Sequence, residues 1–171
     1  MAQYFNISGE LTQELLAAGD NIRVNKIYLT NTQKISKCKV DLYIEKKLKG
    51  KFYLLKGVEL PIGATLVYDD ISFSNAENEF GLYIKLTDGA SFTITGSVDV
   101  TGTNVNVPGT NTLYTSEVSI GDELVVTGET RTVNLITGDT TATVSAAWGS
   151  DLANDTSVEC NPTALVDVII K

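Results

Sequence analysis

Thr95-Gly96-Ser97-Val98-Asp99-Val100-Thr101 is the stretch whose reading decides the fold, because its Val-Asp-Val centre returns near the C-terminus as Val166-Asp167-Val168. A chain that leaves a folded unit and re-enters it must do so at adjacent points, and two similar strands side by side would suit both passages. We therefore read residues 1–98 plus 163–171 as one β-sandwich domain. Residues 99–162 form a smaller β-domain inserted into it, and the two Val-Asp-Val strands are expected to be neighbours.

Charge divides the chain at the same place. Residues 1–98 carry 11 Lys+Arg against 11 Asp+Glu, whereas residues 99–162 carry Arg131 alone against nine acids, so the inserted segment holds the whole net charge of −8. The 171 residues suffice for one good core or two modest ones. No apolar run approaches the ~20 residues that cross a bilayer, and the N-terminus lacks a basic flank followed by an apolar stretch. The expectation is a protein that folds in a cytoplasm without a membrane. Cys38 and Cys160 fall in different expected domains and are read as free, half-buried thiols.

The first domain reads as short strands. Leu11, Leu15 and Ala18 have helical spacing, so residues 9–18 are either a short helix or an irregular arm. Ile22 and Val24 share one parity, Ile27 and Leu29 the other, which calls for a bulge near Asn25-Lys26 or a strand buried on both faces. Cys38, Val40, Leu42 and Ile44 alternate with Lys37, Lys39, Asp41 and Tyr43, giving one face to a core and the other to water or a partner. In the inserted segment Leu124 and Val126, Val133 and Leu135, and Ala142 and Val144 give matching inward sets, which Trp148 caps. The expected fold is all-β: an antiparallel β-sandwich of jelly-roll or immunoglobulin-like strand order, with a second, smaller β-barrel-like domain.

The available chemistry is narrow. With no histidine, the commonest general base, the usual Ser and Cys triads and most catalytic zinc sites are missing. Asp69-Asp70 and Asp122-Glu123 are consecutive pairs that point to opposite faces of a strand; these, and Glu77 with Glu79, are read as turn or surface residues. No phosphate loop, dinucleotide fingerprint or helix-flanked calcium loop is present, so no enzyme, cofactor or metal is expected. Eight lysines fall between Lys34 and Lys56. The interspersed acids and the missing arginine argue against nucleic acid, and leave Lys37, Lys39 and Tyr43 as a candidate partner-docking face.

Asn21-Ile-Arg-Val-Asn-Lys-Ile-Tyr-Leu-Thr-Asn-Thr32, Val40-Asp-Leu-Tyr-Ile44, Tyr53-Leu-Leu-Lys56, Leu60-Pro-Ile-Gly-Ala-Thr-Leu-Val67 and Val166-Asp-Val-Ile-Ile-Lys171 together resemble small β-sandwich virion proteins of tailed bacteriophages. Gly109-Thr-Asn-Thr-Leu-Tyr114, the run from Gly121 to Val133, and Ile136-Thr-Gly-Asp-Thr140 are similar to a small β-module of phage structural proteins. The resemblance carries over no functional residue. It implies a non-enzymatic capsid decoration protein whose partners are the major capsid protein or other virion proteins. The sandwich would dock on the shell while the acidic domain projects, and a homo-oligomer stays open. The readings left beside it are a neck, tail or fibre component and, from another class, a carbohydrate-binding module.

Overall fold

The computed structural model describes residues 1–46, 48–74 and 80–171. The expected loop at 72–79 and the Glu77 and Glu79 pair lie largely or wholly outside them. The chain divides into two compact units, residues 1–88 with 164–171 and residues 89–163.

Unit 1 contains β1 (Gln3–Ser8), β2 (Gln13–Leu16), β3 (Arg23–Val24), β4 (Ile27–Asn31), β5 (Cys38–Lys46), β6 (Gly50–Leu60), β7 (Thr65–Tyr68), β8 (Phe73–Ser74), β9 (Phe80–Thr87) and the last strand of the chain, β18 (Leu165–Ile170). Two antiparallel four-stranded sheets, ordered β1-β18-β4-β7 and β2-β9-β5-β6, carry the unit, with β3 and β8 as a short ribbon. Alternation sets their inner faces. Ile7, Ile27, Leu29, Val166, Val168 and Ile170 come from the first sheet, and Leu16, Val40, Leu42, Leu82, Ile84 and Leu86 from the second, all into one core.

Local signals resolve against this frame. The helical spacing of Leu11, Leu15 and Ala18 does not make a helix: residues 13–16 form β2, Leu15 and Leu16 are both buried through a bulge opposite β9, and Leu11 and Ala18 face solvent. Pairing with β9 supplies hydrogen bonds and burial that a lone short helix would lack. The parity change after Val24 is a bulge: Asn25 and Lys26 both donate to the Lys171 carbonyl, at 2.7 and 3.0 Å.

The two sheets of unit 1 are tied at one end by Asn31, which is wholly buried at the end of β4. Its side-chain amide donates to the carbonyls of Ser36 and Leu60, each at 3.0 Å, and its Oδ1 accepts the Gln33 N–H at 2.9 Å. Its carbonyl accepts the Gly63 N–H, so one polar residue fixes both the loop after β4 and the turn after β6.

Unit 2 contains β10 (Phe92–Thr93), β11 (Ser97–Val100), β12 (Asn106–Thr110), a single helical turn α1 (Tyr114–Glu117), β13 (Glu123–Val126), β14 (Glu129–Gly138), β15 (Thr141–Val144), β16 (Leu152–Asp155) and β17 (Glu159–Asn161). Its strands join in one sheet ordered β10-β17-β13-β14-β15-β12-β11-β16. Among the described residues β10 and β16 do not pair, so the sheet is open where a barrel-like closure was expected. Leu124, Val126, Val133, Ala142, Val144 and Trp148 enter the core. Leu135 does not: the register slips between Val133 and Leu135, which turns Leu135 outward and lets Ile136 pack instead.

The opening stretch belongs wholly to unit 2. Gly96 sits at φ +84°, where a Cβ would meet the Thr110 carbonyl oxygen at 2.5 Å, so this corner admits glycine alone. The two Val-Asp-Val strands are not neighbours. β11 pairs with β12 and β16, while β18 pairs with β1 and β4. Adjacency of exit and return is met elsewhere: the Ala164 N–H donates to Asp88 Oδ1 at 2.6 Å, and the Asp88 N–H donates to Glu10. The compact units therefore divide after Asp88, ten residues before the division read from charge and strand pattern, because β10 and β11 pair only with unit 2 strands. Replacing residues 89–163 by a short glycine linker should leave a sandwich that melts cooperatively by far-ultraviolet circular dichroism. A chain without strand signal would show that both sheets need the insert.

Both cysteines are free and fully, not half, buried. Burial, helped by Asp88, pushes the Cys38 thiol up to about 11, and burial followed by the Asp122 carboxylate raises that of Cys160. The smaller thiolate fraction at pH 8 alone should slow labelling of native Cys38 by about 100-fold relative to the unfolded chain. The folded state keeps the Cys38 proton after the unfolded chain loses it, so its contribution to stability is complete below pH 9 and is lost as pH rises from 9.0 toward about 11; that of Cys160, raised further, persists to higher pH. Thiol-reagent kinetics with and without urea check the first statement, and urea midpoints across that range the second.

Candidate interaction surface

The outward face of the sheet β2-β9-β5-β6 is the one the sequence singles out. Of its three expected docking residues, Lys37 and Lys39 are exposed, whereas Tyr43 lies on that face but is 2% exposed. Pairing explains the difference. Tyr43 sits opposite Tyr53 on β6 and Tyr83 on β9, and Tyr83 sits opposite Glu14 on β2, so one cross-strand row spans the sheet. The Tyr43 ring lies 5.4 Å from Tyr53 and 5.7 Å from Tyr83, the latter stacked. Lys51 covers Tyr43, with its ammonium 4.5 Å from the ring centroid and 3.1 Å from the phenol oxygen. Lys56 covers Tyr53 at 4.1 Å. Tyr83 donates to Glu14 at 2.8 Å, and that bond, more than burial, pushes its phenol up to about 12.

The lysines of this face are matched by acids. Lys39 is opposite Glu59, Lys51 is opposite Glu45, and Asp41 is opposite Lys85. Lys37 bridges Glu59 at 2.9 Å, across side chains about half exposed, so the bridge itself is worth little. The face is thus a charge-paired ladder around an aromatic row, where the sequence read as a lysine surface. Counting lysines along the chain cannot show which acid each one meets across strands.

The outward face of the other sheet has a different character. Tyr4 on β1 is opposite Ile169 on β18, Ile169 is opposite Tyr28 on β4, and Tyr28 is opposite Val67 on β7. This row crosses all four strands, joins two tyrosine rings to two aliphatic side chains, and is open at its ends, with Tyr4 70% and Val67 44% exposed. The next row, Asn6, Asp167, Thr30 and Thr65, is polar and internally bonded: Asn6 donates to Asp167 at 2.6 Å, and the Thr30 and Thr65 hydroxyls lie 2.9 Å apart. Lys171 stands 5.3 Å from the Tyr28 ring centroid, and Lys26 bridges Asp69. The sequence reading missed this row, because it exists only through the register of four strands drawn from residues 3–8, 27–31, 65–68 and 165–170.

In unit 2 Tyr114 is wholly buried and Trp148 is 3% exposed, so neither of the two rings named for the carbohydrate-binding alternative is a flat exposed surface. Arg131 is engaged: it lies 5.4 Å from the Trp148 ring centroid and donates to Glu129 at 2.5 Å and to the Ala147 carbonyl at 3.1 Å. Asp122 is fully buried and structural. It accepts the Ser119 and Thr163 N–H groups at 2.8 and 2.9 Å, while Glu123 beside it is part-exposed. Among the described residues no group of three or more acids, cysteines or histidines could hold a metal ion, and no helix is long and apolar enough to cross a membrane.

No protein-family model matches the sequence, and no curated protein matches it significantly. Among solved structures, the chain is similar to the PBSX exported protein XepA. That superposition has a TM-score of 0.31 at 9% identity and covers 100% of this chain and 86% of that one. The value lies below that of a shared fold. The surfaces above therefore rest on this chain's own residues: a charge-paired aromatic face and an open apolar row in unit 1, and a surplus of acid in unit 2.

Proposed function

We propose that the chain is a non-enzymatic structural protein of a bacteriophage particle, one that decorates the shell and docks on the major capsid protein through unit 1. The observation that carries this reading is the row Tyr4, Ile169, Tyr28 and Val67, an extended aromatic and aliphatic strip with exposed ends beside the polar row Asn6, Asp167, Thr30 and Thr65. Desolvating such a strip favours association, and its polar neighbours can set register. The resemblance of residues 21–67 and 166–171 to phage β-sandwich proteins supports the setting. So does strand order. Counted in chain order, the eight strands of unit 1's two four-stranded sheets run 1-8-3-6 and 2-7-4-5, an order that supports the jelly-roll reading over the immunoglobulin one. Decoration stabilises a shell by binding its assembled form, with no chemistry required.

The test is binding to purified shells that lack this protein. Wild type should bind, Tyr4→Asp should bind at least about tenfold more weakly, and Lys37→Glu should bind as wild type. The opposite ranking would move docking to the charge-paired face, and no binding by any form would end the decoration reading. Copy number in particles then locates it: parity with the shell protein, or a simple fraction of it, means decoration, and a handful of copies means neck, tail or fibre.

A further inference from the structure

The sheet β1-β18-β4-β7 has two bare edges, β1 and β7. Neither strand carries a charged residue or a proline, the usual guards of an edge. The β6 edge of the other sheet is guarded. It carries Lys51, Lys56 and Glu59 and is bulged at Gly57, φ +60°, whose N–H is taken by Asp41 at 2.6 Å.

Alternation shows which backbone groups the bare edges present. Gly9, just after β1, donates to the Ala164 carbonyl at 3.0 Å, and the register has no slip, so Gln3, Phe5 and Ile7 turn their N–H and C=O toward β18. Tyr4 and Asn6 turn theirs outward. The Ser8 carbonyl, on the same side, is taken by the Gln13 side chain at 3.1 Å, which ends the open stretch. On the far strand, Asn31 donates to the Ala64 carbonyl at 3.0 Å, so Leu66 and Tyr68 face β4, and Thr65 and Val67 turn outward. All four outward residues are exposed, and their outward backbone groups have no partner among the described residues.

We propose that β7 of one copy pairs antiparallel with β1 of a second copy of this chain, Val67 against Tyr4 and Thr65 against Asn6. The match of the two edges selects the second copy. Each strand offers two outward residues spaced two apart, and each facing pair exchanges two hydrogen bonds. Side chains match in the same register. The strands of this sheet already alternate in direction, so the strip Tyr4, Ile169, Tyr28 and Val67 runs on into that of the next copy, and the row Asn6, Asp167, Thr30 and Thr65 does the same. A slip of one residue turns the donors away, and a slip of two sets Val67 against Asn6 or Thr65 against Tyr4. The two edges are different surfaces, so the contact is heterologous, and assembly proceeds to a closed ring or an open filament. The inference does not rest on shell docking, since it concerns free copies in solution.

Sedimentation velocity over rising protein concentration tests it, and wild type should associate. Asn6→Pro blocks β1 and Thr65→Pro blocks β7; each removes an outward N–H that no strand of its own copy uses. Each should weaken association at least about tenfold while keeping a cooperative melt. An equimolar mixture of the two should give a dimer and nothing larger, because Asn6→Pro keeps an open β7 and Thr65→Pro an open β1. Disulfide trapping with copper phenanthroline as oxidant reads the register without proline, and the buried Cys38 and Cys160 stay out of it. Asn6→Cys mixed with Thr65→Cys should cross-link, and Asn6→Cys mixed with Val67→Cys should do so at least about tenfold more slowly. A wild type that stays monomeric, a folded proline variant that associates as wild type, a mixture of the proline variants that stays monomeric, or equal cross-linking of the two cysteine mixtures would each overturn the proposal.

Discussion

Replacing Asn31 by leucine should destabilise unit 1 by about 3 kcal/mol, although the two side chains are close in volume and no cavity opens. The cost is polar. Asn31 is wholly buried, and its amide satisfies the carbonyls of Ser36 and Leu60 and the N–H of Gln33. Removing one partner of a buried hydrogen bond costs about 1–3 kcal/mol for the group left behind, and three groups lose their partner here. Partial relaxation toward water brings the sum down to about 3 kcal/mol. For a unit of this size that is a fall in melting temperature of roughly 15 °C. Because Leu60 ends a strand of one sheet and Asn31 a strand of the other, the loss should also loosen the end of the sandwich, seen as faster amide exchange at Gly63 and Ala64. A change below about 1 kcal/mol would mean that these carbonyls find other partners, and that Asn31 fills space without tying the sheets.

Asp122→Ala should do comparable damage to unit 2, again by about 3 kcal/mol. The carboxylate is wholly buried; one oxygen accepts the Thr163 N–H at 2.9 Å, and the other accepts the Ser119 N–H at 2.8 Å with the Cys160 sulfur at 3.9 Å. It joins the turn before β13 to the segment that follows β17, and so closes the unit. Hydrogen bonds to a charged acceptor are worth about twice neutral ones, and the truncation takes the carboxylate acceptor from the buried Ser119 N–H and the part-buried Thr163 N–H. A unit of some 75 residues has little stability to spare, so its transition should fall by more than 10 °C, to the edge of unfolding. The single tryptophan, Trp148, is buried in this unit and reports the outcome: its emission should move to the red at a lower temperature than in wild type. Asp122→Asn should cost less than alanine, because one oxygen still accepts while the new NH₂ faces a donor. An unchanged Trp148 transition in both variants would remove Asp122 from the closure of the unit.

The two predictions also show where sequence reasoning stops. Asn31 reads as the residue that ends a strand, and nothing in its neighbours distinguishes a solvent-facing turn asparagine from one buried between sheets. Asp122 sits in a Gly-acid turn like those at Gly138-Asp139 and Gly128-Glu129, and reads as exposed with them. Only partners remote in sequence, Leu60 in one case and Thr163 in the other, separate the structural polar residue from the surface one.

The sequence by itself determined the class of the protein. Alternation at Cys38, Val40 and Leu42, at Leu124 and Val126, and at Ala142 and Val144 fixes which side chains are buried, because a strand has a period of two whatever it pairs with. The parity change at Asn25-Lys26 was likewise local, as was the concentration of acid in the middle of the chain. Tertiary structure decided the rest. Register brought Tyr4, Ile169, Tyr28 and Val67 into one open row, buried Tyr43 beneath Tyr53, Tyr83 and Lys51, and set an acid across from each of Lys39 and Lys51. It also separated the two Val-Asp-Val strands and placed the exit and return of the insert at Asp88 and Ala164. These are relations between residues from 6 to 165 positions apart, each made across strands or between segments that meet only in the fold. Pairing between strands creates them, and no window along a single strand contains the information.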